Sequence, residues 1–533
     1  EMCIRDRMNR LVYIFIVLLL PAIKAAATVK LHSLFSDNMV IQRELPIHIF
    51  GTADQGESIT VTFGNATVHA VADIKGNWSV ELPAQEVCMI GQSLVVEGKT
   101  KIVLRDILIG DVWLCSGQSN MEMALGSCND SVAIKEADYS TIRFVRIPYL
   151  CKDSPQTDMD VERLAWNICT PYSAGGCSAV GFYFARRVSK EMGVPIGILI
   201  SSIGGTNIEK WMPQSSFFRN AILSEYYQKI ENWMEQYRKD LVTFQAPMKE
   251  WMKAVNESLL KHEDIPSMPY VPLHPSMPGS KYGGGQFSHL YNGMISPLYQ
   301  FKIKGALWYQ GENNGEEERT YVEKMKEMIA AWRNGWGYEF PFYIVQLSSW
   351  LKPVNDPNDW KKGWQFCRAA QLACVTEIPN TGIAVTYDIG DEEDIHPKNK
   401  YDVGERLALW ALAHDYGKEI SFSGPLYKTI TLEEDRIRVN FNYSEDGLMI
   451  GRKEGKKEVE EDKIGKLQGF VIAGEDKVWY WADAKIEGNS VIVSSPFVNK
   501  PIAVRYAFSM NPRGANLYNR SGLPASPFRS DCW

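Results

Sequence analysis

Hydrophobic and polar positions change rhythm twice along this chain. Between residues 28 and 108, short β-branched and aromatic runs alternate with Gly, Asp and Asn, as in PIHIFGTADQGESITVTF. That period of two predicts a small β-sandwich module. From 109 to 419 the apolar runs become continuous and alternate with amphipathic stretches. VWLC (112–115), IGILISS (196–202), KGALWYQ (304–310), FYIVQLS (342–348) and GIAVTYD (382–388) read as buried parallel strands, and GFYFARRVSKEM, YVEKMKEMIAAW and VGERLALWALAHDYG as helices. The expectation is an α/β domain. At about 214–285 two charged helical stretches, SEYYQKIENWMEQYRKDL and PMKEWMKAVNESLLKH, and a Pro/Met/Gly-rich loop interrupt the pattern. They read as an insertion over the top of the sheet, whose Trp211, Trp233 and Trp251 either stack on a ligand or pack among helical residues. Strand signals return over 420–533, predicting a second β-rich module.

Residues 1–27 follow another logic. From Met8 the order is a short basic segment, the apolar run Leu11 to Leu20, Pro21, and the small residues Ala25 to Ala27, the sequence of parts in a secretory signal. Ten apolar residues are too few for a bilayer, where about 20 are needed. EMCIRDR (1–7) fits no part of that signal and reads as a spurious start. The expected product begins near Thr28, carries no membrane span, and resides in the periplasm or outside the cell. Nine of the ten cysteines lie in it, and an oxidising compartment permits pairs such as Cys128 with Cys151 or Cys169 with Cys177.

Charge and composition narrow the classes. The 533 residues are 45% hydrophobic and carry a formal net charge of −7, enough for a sizeable core and without the basic surface that nucleic acid requires. Neither CxxC nor HExxH occurs, so no zinc or other metal site is expected, and the chemistry considered below requires no organic cofactor.

Chemistry concentrates where predicted strands end. Ser119, in LCSGQSNMEM, follows the run 112–115 at the carboxyl end of a strand, where α/β sheets place ligands. A serine there is a nucleophile if a base, an orienting acid and oxyanion donors converge on it, and otherwise a turn or cap residue. The base best placed among eight histidines is His396, in DIGDEEDIHPKNK after the run 382–387; Asp391, Glu393 and Asp394 precede it closely. A carboxylate beside a histidine can hold the imidazole in the tautomer that accepts the serine proton. SSIGGTNIEKWMP presents Gly204-Gly205, and WYQGENN presents Gln310, Asn313 and Asn314, as candidate oxyanion donors.

The ordered set GQSNM (117–121), IGGT (203–206), WYQGENN (308–314) and DIHP (394–397) resembles the sialate O-acetylesterase family, a branch of the SGNH-type esterases. LFSDNMVIQRELPIHIFGTA, LYNGMISPL and NLYNRSGLPASPFRSD extend the likeness over nearly all of the expected product. The resemblance implies an SGNH-hydrolase-like three-layer α/β/α core with a parallel sheet, flanked by β-modules. It implies Ser119 as nucleophile, His396 as base and Asp394 as the acid, with Asp391 and Glu393 as alternates. The oxyanion hole would comprise the N–H groups of Ser119 and Gly205 and the Gln310 side chain, with Asn313 as the alternate amide. The implied substrate is an O-acetylated sugar or glycan, sialic acid first and acetylated xylan or another polysaccharide second. A glycan-binding protein with an inert esterase core is the competing class. A glycoside hydrolase built on residues 391–394 is disfavoured, because its two carboxylates must stand ~5 Å or more apart across the sugar.

Overall fold

The computed structural model describes residues 29–533, so the reading of residues 1–27 lies outside the described residues. The molecule is organised around one strand of 17 residues, Lys101–Gly117. Its first half pairs antiparallel with Cys88–Glu97 in the N-terminal β-region. Its second half is wholly buried and lies in parallel between Ile196–Ser202 and Gly305–Tyr309. The central sheet runs Asn167–Cys169, Tyr139–Arg146, Ile196–Ser202, Lys101–Gly117, Gly305–Tyr309, Phe342–Val345, Thr381–Ala384, and only the first of these is antiparallel to its neighbour. The boundary expected between residues 108 and 109 therefore falls inside a single strand, and the two regions share a sheet.

Helices cover both faces of this sheet, because strands that are apolar on both sides must be buried on both. On the face reached by Trp113, whose ring meets Phe184 edge-on at 4.8 Å, the helix Ala179–Met192 packs against Lys400–His414. Ser178 and Asn399 cap these two helices by accepting from the Gly181 and Asp402 amides. On the other face Trp308 meets Trp332 of Arg319–Trp336 at 5.8 Å, and Gln365–Glu377 lies alongside. The α/β/α core is as expected. The insertion differs: its two expected helices are one, Ser224–Lys261, which runs through Pro247. Pro247 donates no N–H, but the carbonyl this leaves free, at Thr243, belongs to an exposed residue that water can reach. Ile230 is the one fully buried residue along this helix.

The C-terminal region is β-rich, with antiparallel sheets such as Leu426–Glu433, Arg436–Asn442, Ser490–Ser494, Asp483–Glu487. It is joined to the core by buried charge. Arg368 donates to the carbonyls of Leu347 and Ser348 in the core and of Ser509 and Met510 in the C-terminal region. Asp388 accepts two hydrogen bonds from Arg406 and one from the Tyr518 hydroxyl. The nine cysteines among the described residues are all free thiols, and no helix among these residues is long and apolar enough to cross a membrane.

Gly117, the last residue of the central strand, has φ +132°, and a Cβ there would stand 2.1 Å from the Tyr309 carbonyl oxygen. Gly117→Ala should cost about 3 kcal/mol, from backbone strain and collision together. The measurement is a denaturation midpoint; an unchanged midpoint would contradict this account of the strand end.

Candidate active site

Four loops at the carboxyl ends of parallel strands meet around Ser119. Gln118 donates its N–H to the Tyr309 carbonyl at 2.9 Å, which turns the chain off the sheet, and Ser119 opens the short helix Ser119–Glu122. Ser178 holds this helix from below by donating to the Met121 carbonyl at 2.7 Å. Ser119 is half-buried.

His396 comes from the loop after Thr381–Ala384 and places Nε2 2.8 Å from Ser119 Oγ, across 277 residues of sequence. Asp394 is the carboxylate within ion-pair distance of this ring: its Oδ1 is 3.7 Å from Nδ1 and accepts the His396 backbone N–H at 2.8 Å. At 3.7 Å the side chains are not hydrogen-bonded, although such contacts are often long in a resting site and tighten with substrate. Asp391 has another task, accepting the N–H groups of Glu393 and Asp394 and so shaping the turn. Glu393 makes no ion pair with His396.

The electrostatics favour the neutral form of His396. Burial lowers its pKa below the ordinary 6.5 and Asp394 acts in the opposite sense, while Lys400 and Lys398 repel the imidazolium. The His396 N–H and Lys398, at 3.1 Å, hold the Asp394 carboxyl below the usual carboxylate range despite partial burial.

The glycine loop reaches the same place. Gly204 lies so close that a Cβ on it would be 3.2 Å from Ser119 Cβ, and its N–H is occupied by Glu122 at 2.7 Å. Gly205, at φ +67°, is exposed, and its N–H meets no acceptor among the described residues. Its carbonyl accepts from Asn313 Nδ2 at 3.0 Å. Gln310 stands elsewhere. Its amide nitrogen donates to the Thr206 carbonyl and to Asn314 Oδ1, its oxygen accepts from the Tyr321 hydroxyl, and the side chain is fully buried. Both N–H groups are thus committed to the loop interior, which corrects the expectation that Gln310 supplies an oxyanion donor. Asn313, the alternate, is exposed and adjoins Gly205. Asn314 is also internal, bridging Ile208, Gln310, Glu209 and Glu317.

Beneath Ser119 and His396 lies a network that sequence reasoning missed. Asn120 Nδ2 donates to Glu312 Oε1 at 2.6 Å and to the Ile395 carbonyl at 3.1 Å, and Asn120 Oδ1 accepts from Lys400 Nζ at 2.6 Å. Lys400 is fully buried, with its ammonium 5.3 Å from the Tyr309 ring centroid; burial brings its pKa down to about 8. Burial also raises the Glu312 carboxyl above its ordinary value, against the Asn120 hydrogen bond. All three residues sit inside the motifs already noted, but their mutual pairing leaves no mark on spacing. Trp211 is buried and donates to Thr206, and Trp233 stacks on Phe287, so these two pack within the protein, while Trp251 is partly buried with its indole N–H committed to the Pro266 carbonyl.

The chain matches known proteins over this whole arrangement. The carbohydrate esterase family described as sialic acid-specific acetylesterase matches residues 109–230 and 277–413. Sialate O-acetylesterase of Rattus norvegicus is 30% identical over 538 aligned positions that span 93% of each chain, and that of Homo sapiens is 28% identical over 93% of this chain and 91% of its own. The crystal structure of a carbohydrate acetylesterase from Xanthomonas citri superimposes with a TM-score of 0.77 at 33% identity, covering 95% of this chain and all of that one. With the four loops converging on Ser119, these likenesses place the chain in the sialate O-acetylesterase family of carbohydrate esterases.

Proposed function

We propose that this protein is an exported serine esterase that removes O-acetyl groups from sialic acids through an acetyl-serine intermediate. The observation that carries the reading is the 2.8 Å contact between Ser119 Oγ and His396 Nε2, close to the Gly205 N–H, which no acceptor among the described residues takes. The names of the curated relatives supply the sugar, and the apolar run Leu11 to Leu20 supports export.

In this mechanism Ser119 Oγ attacks the acetyl carbonyl carbon while its proton passes to His396 Nε2. The oxyanion is met by the N–H groups of Ser119 and Gly205 and by the Asn313 amide. As the tetrahedral intermediate collapses, the sugar C–O oxygen leaves and takes the proton from His396, and the acetyl group stays on Ser119. Water then attacks the acetyl-serine, giving its proton to His396, and acetate departs as Ser119 regains a proton. Asp394 holds the imidazole and offsets the charge it acquires. Lys400 and Asn120 act through the loop, as positioning residues.

Three outcomes follow. Ser119→Ala should abolish acetate release from O-acetylated sialic acid while the protein stays folded by circular dichroism; wild-type release would refute the serine mechanism. Asn313→Ala should lower kcat by about 10²–10³ with little change in KM, as loss of one oxyanion donor does. An equal rise in KM at unchanged kcat would instead assign Asn313 to ground-state binding.

The pH profile is the third. His396 must be neutral to accept the proton, and its pKa is below 6.5. Activity should therefore be full above that pKa and fall as pH drops through it, with the acid midpoint of kcat/KM below 6.5. Lys400→Met removes a cation that lowers this pKa, so the midpoint should move to higher pH; a midpoint that stays or falls would show that Lys400 does not act on His396 electrostatically.

A further inference from the structure

A groove of about 360 Å³ lies between the C-terminal region and residues 353–360 of the core. Its wall carries Trp481, the last residue of the strand Trp479–Trp481, which is 51% exposed. The indole is nevertheless held: Nε1 donates to the Asn355 carbonyl at 3.0 Å, and the buried Trp360 packs edge-on at 5.6 Å. Lys466, Asp483 and Arg513 add charged groups to the lining. A second depression, of about 420 Å³, begins at the shared Asn511–Arg513 segment and reaches Gly390 and Glu392. Arg513 faces Glu392 at 3.5 Å, and Glu392 lies four residues before His396 in the same loop. The two hollows thus share the Asn511–Arg513 segment, and the second is lined by Gly390 and Glu392 of the loop that carries His396.

Such an indole exposes apolar area that the fold does not use, and the groove around it mixes apolar side chains such as Val354 and Leu467 with hydrogen-bonding ones such as Gln468, Asp483 and Asn511. A pyranose ring complements both, with a C–H face that stacks on an aromatic ring and a rim of hydroxyls. A protein partner would call for a broader exposed apolar surface than a narrow groove of mixed lining with one half-exposed ring. We propose that this groove is an accessory glycan-binding subsite in which Trp481 stacks on a sugar ring of the same chain whose acetyl group is cleaved at Ser119. The proposal rests on the carbohydrate-esterase reading and makes the favoured substrate an oligosaccharide or longer glycan rather than a free monosaccharide.

Binding and turnover test it separately. In native gels cast with O-acetylated sialoglycan mucin or with acetylated xylan, the Ser119→Ala protein should be retarded by one of the two polymers. Trp481→Ala in that background should lose the retardation and Trp481→Phe should keep part of it. In the active enzyme, Trp481→Ala should raise KM for the retarding polymer about tenfold and leave kcat/KM for 4-nitrophenyl acetate within about twofold. Unchanged retardation and unchanged polymer KM would overturn the proposal. So would a parallel loss on polymer and small ester, which marks a structural role. Retardation needs no acetate release, so an active Ser119→Ala protein would defeat the serine mechanism while the gel still decides the groove.

Discussion

The close approach of two backbones at the end of the central strand is the constraint on which the rest depends. Gly117 comes so near Tyr309 that only a residue without Cβ fits, and the neighbouring amide, at Gln118, is bonded to the same Tyr309 carbonyl. That contact sets Ser119 at the rim of the sheet and fixes its distance from the loop after Tyr309, which carries Glu312 and Asn313. The strand itself is anchored along its length, in the N-terminal β-region by Cys88–Glu97 and in the core by parallel neighbours on both sides. A nucleophile must be held within a fraction of an ångström of its base to be effective. Here the rigidity comes from the middle of the sheet, the part of the molecule least able to move.

Around that fixed point, charge is arranged with two opposing demands on His396. A base that accepts a proton should be neutral at rest, yet the imidazolium formed during reaction needs a counter-charge. In the proposed mechanism burial and the cations Lys398 and Lys400 would serve the first demand, and Asp394 the second. Lys400 also holds Asn120, which in turn holds the Ile395 carbonyl, so one buried ammonium influences both the charge and the place of the adjacent imidazole. Asp394 divides its oxygens between the His396 amide and Lys398, which keeps it ionised and in register with the ring.

Much of this was legible in the sequence, for physical reasons. Parallel strands buried on both faces must be continuous apolar runs, so their carboxyl ends, and the loops bearing Ser119, Gly205, Gln310 and His396, could be located without coordinates. Which of the loops meet was readable only through a family likeness, because spacing says nothing of contacts across 277 residues. The choice between Gln310 and Asn313 was not legible either. A residue at a strand end can turn its amide inward or outward, and here the inward partners, Asn314, Thr206 and Tyr321, are all supplied by tertiary structure. That the boundary expected at 108 falls inside one strand has a related reason. KIVLRD is partly exposed and ILIGDVWLC is wholly buried, so one strand carries two patterns and reads as two elements.

Substrate recognition follows from where exposed aromatic surface is left. The insertion looked like the natural place for sugar stacking, but Trp211, Trp233 and Trp251 all use their rings or ring nitrogens within the protein. The helix Ser224–Lys261 is attached to the core mainly at its first turns, around Ile230. Trp481 is different, exposed at the ring and fixed at its nitrogen, and it belongs to the C-terminal region, which Arg368 and Asp388 lock to the core beside the His396 loop. A buried guanidinium shared by four carbonyls leaves the two regions little freedom to drift apart. In the proposed subsite a sugar ring stacked on Trp481 would therefore be held at a constant distance from Ser119, which would let the C-terminal region select a glycan by its length as well as by its acetyl group.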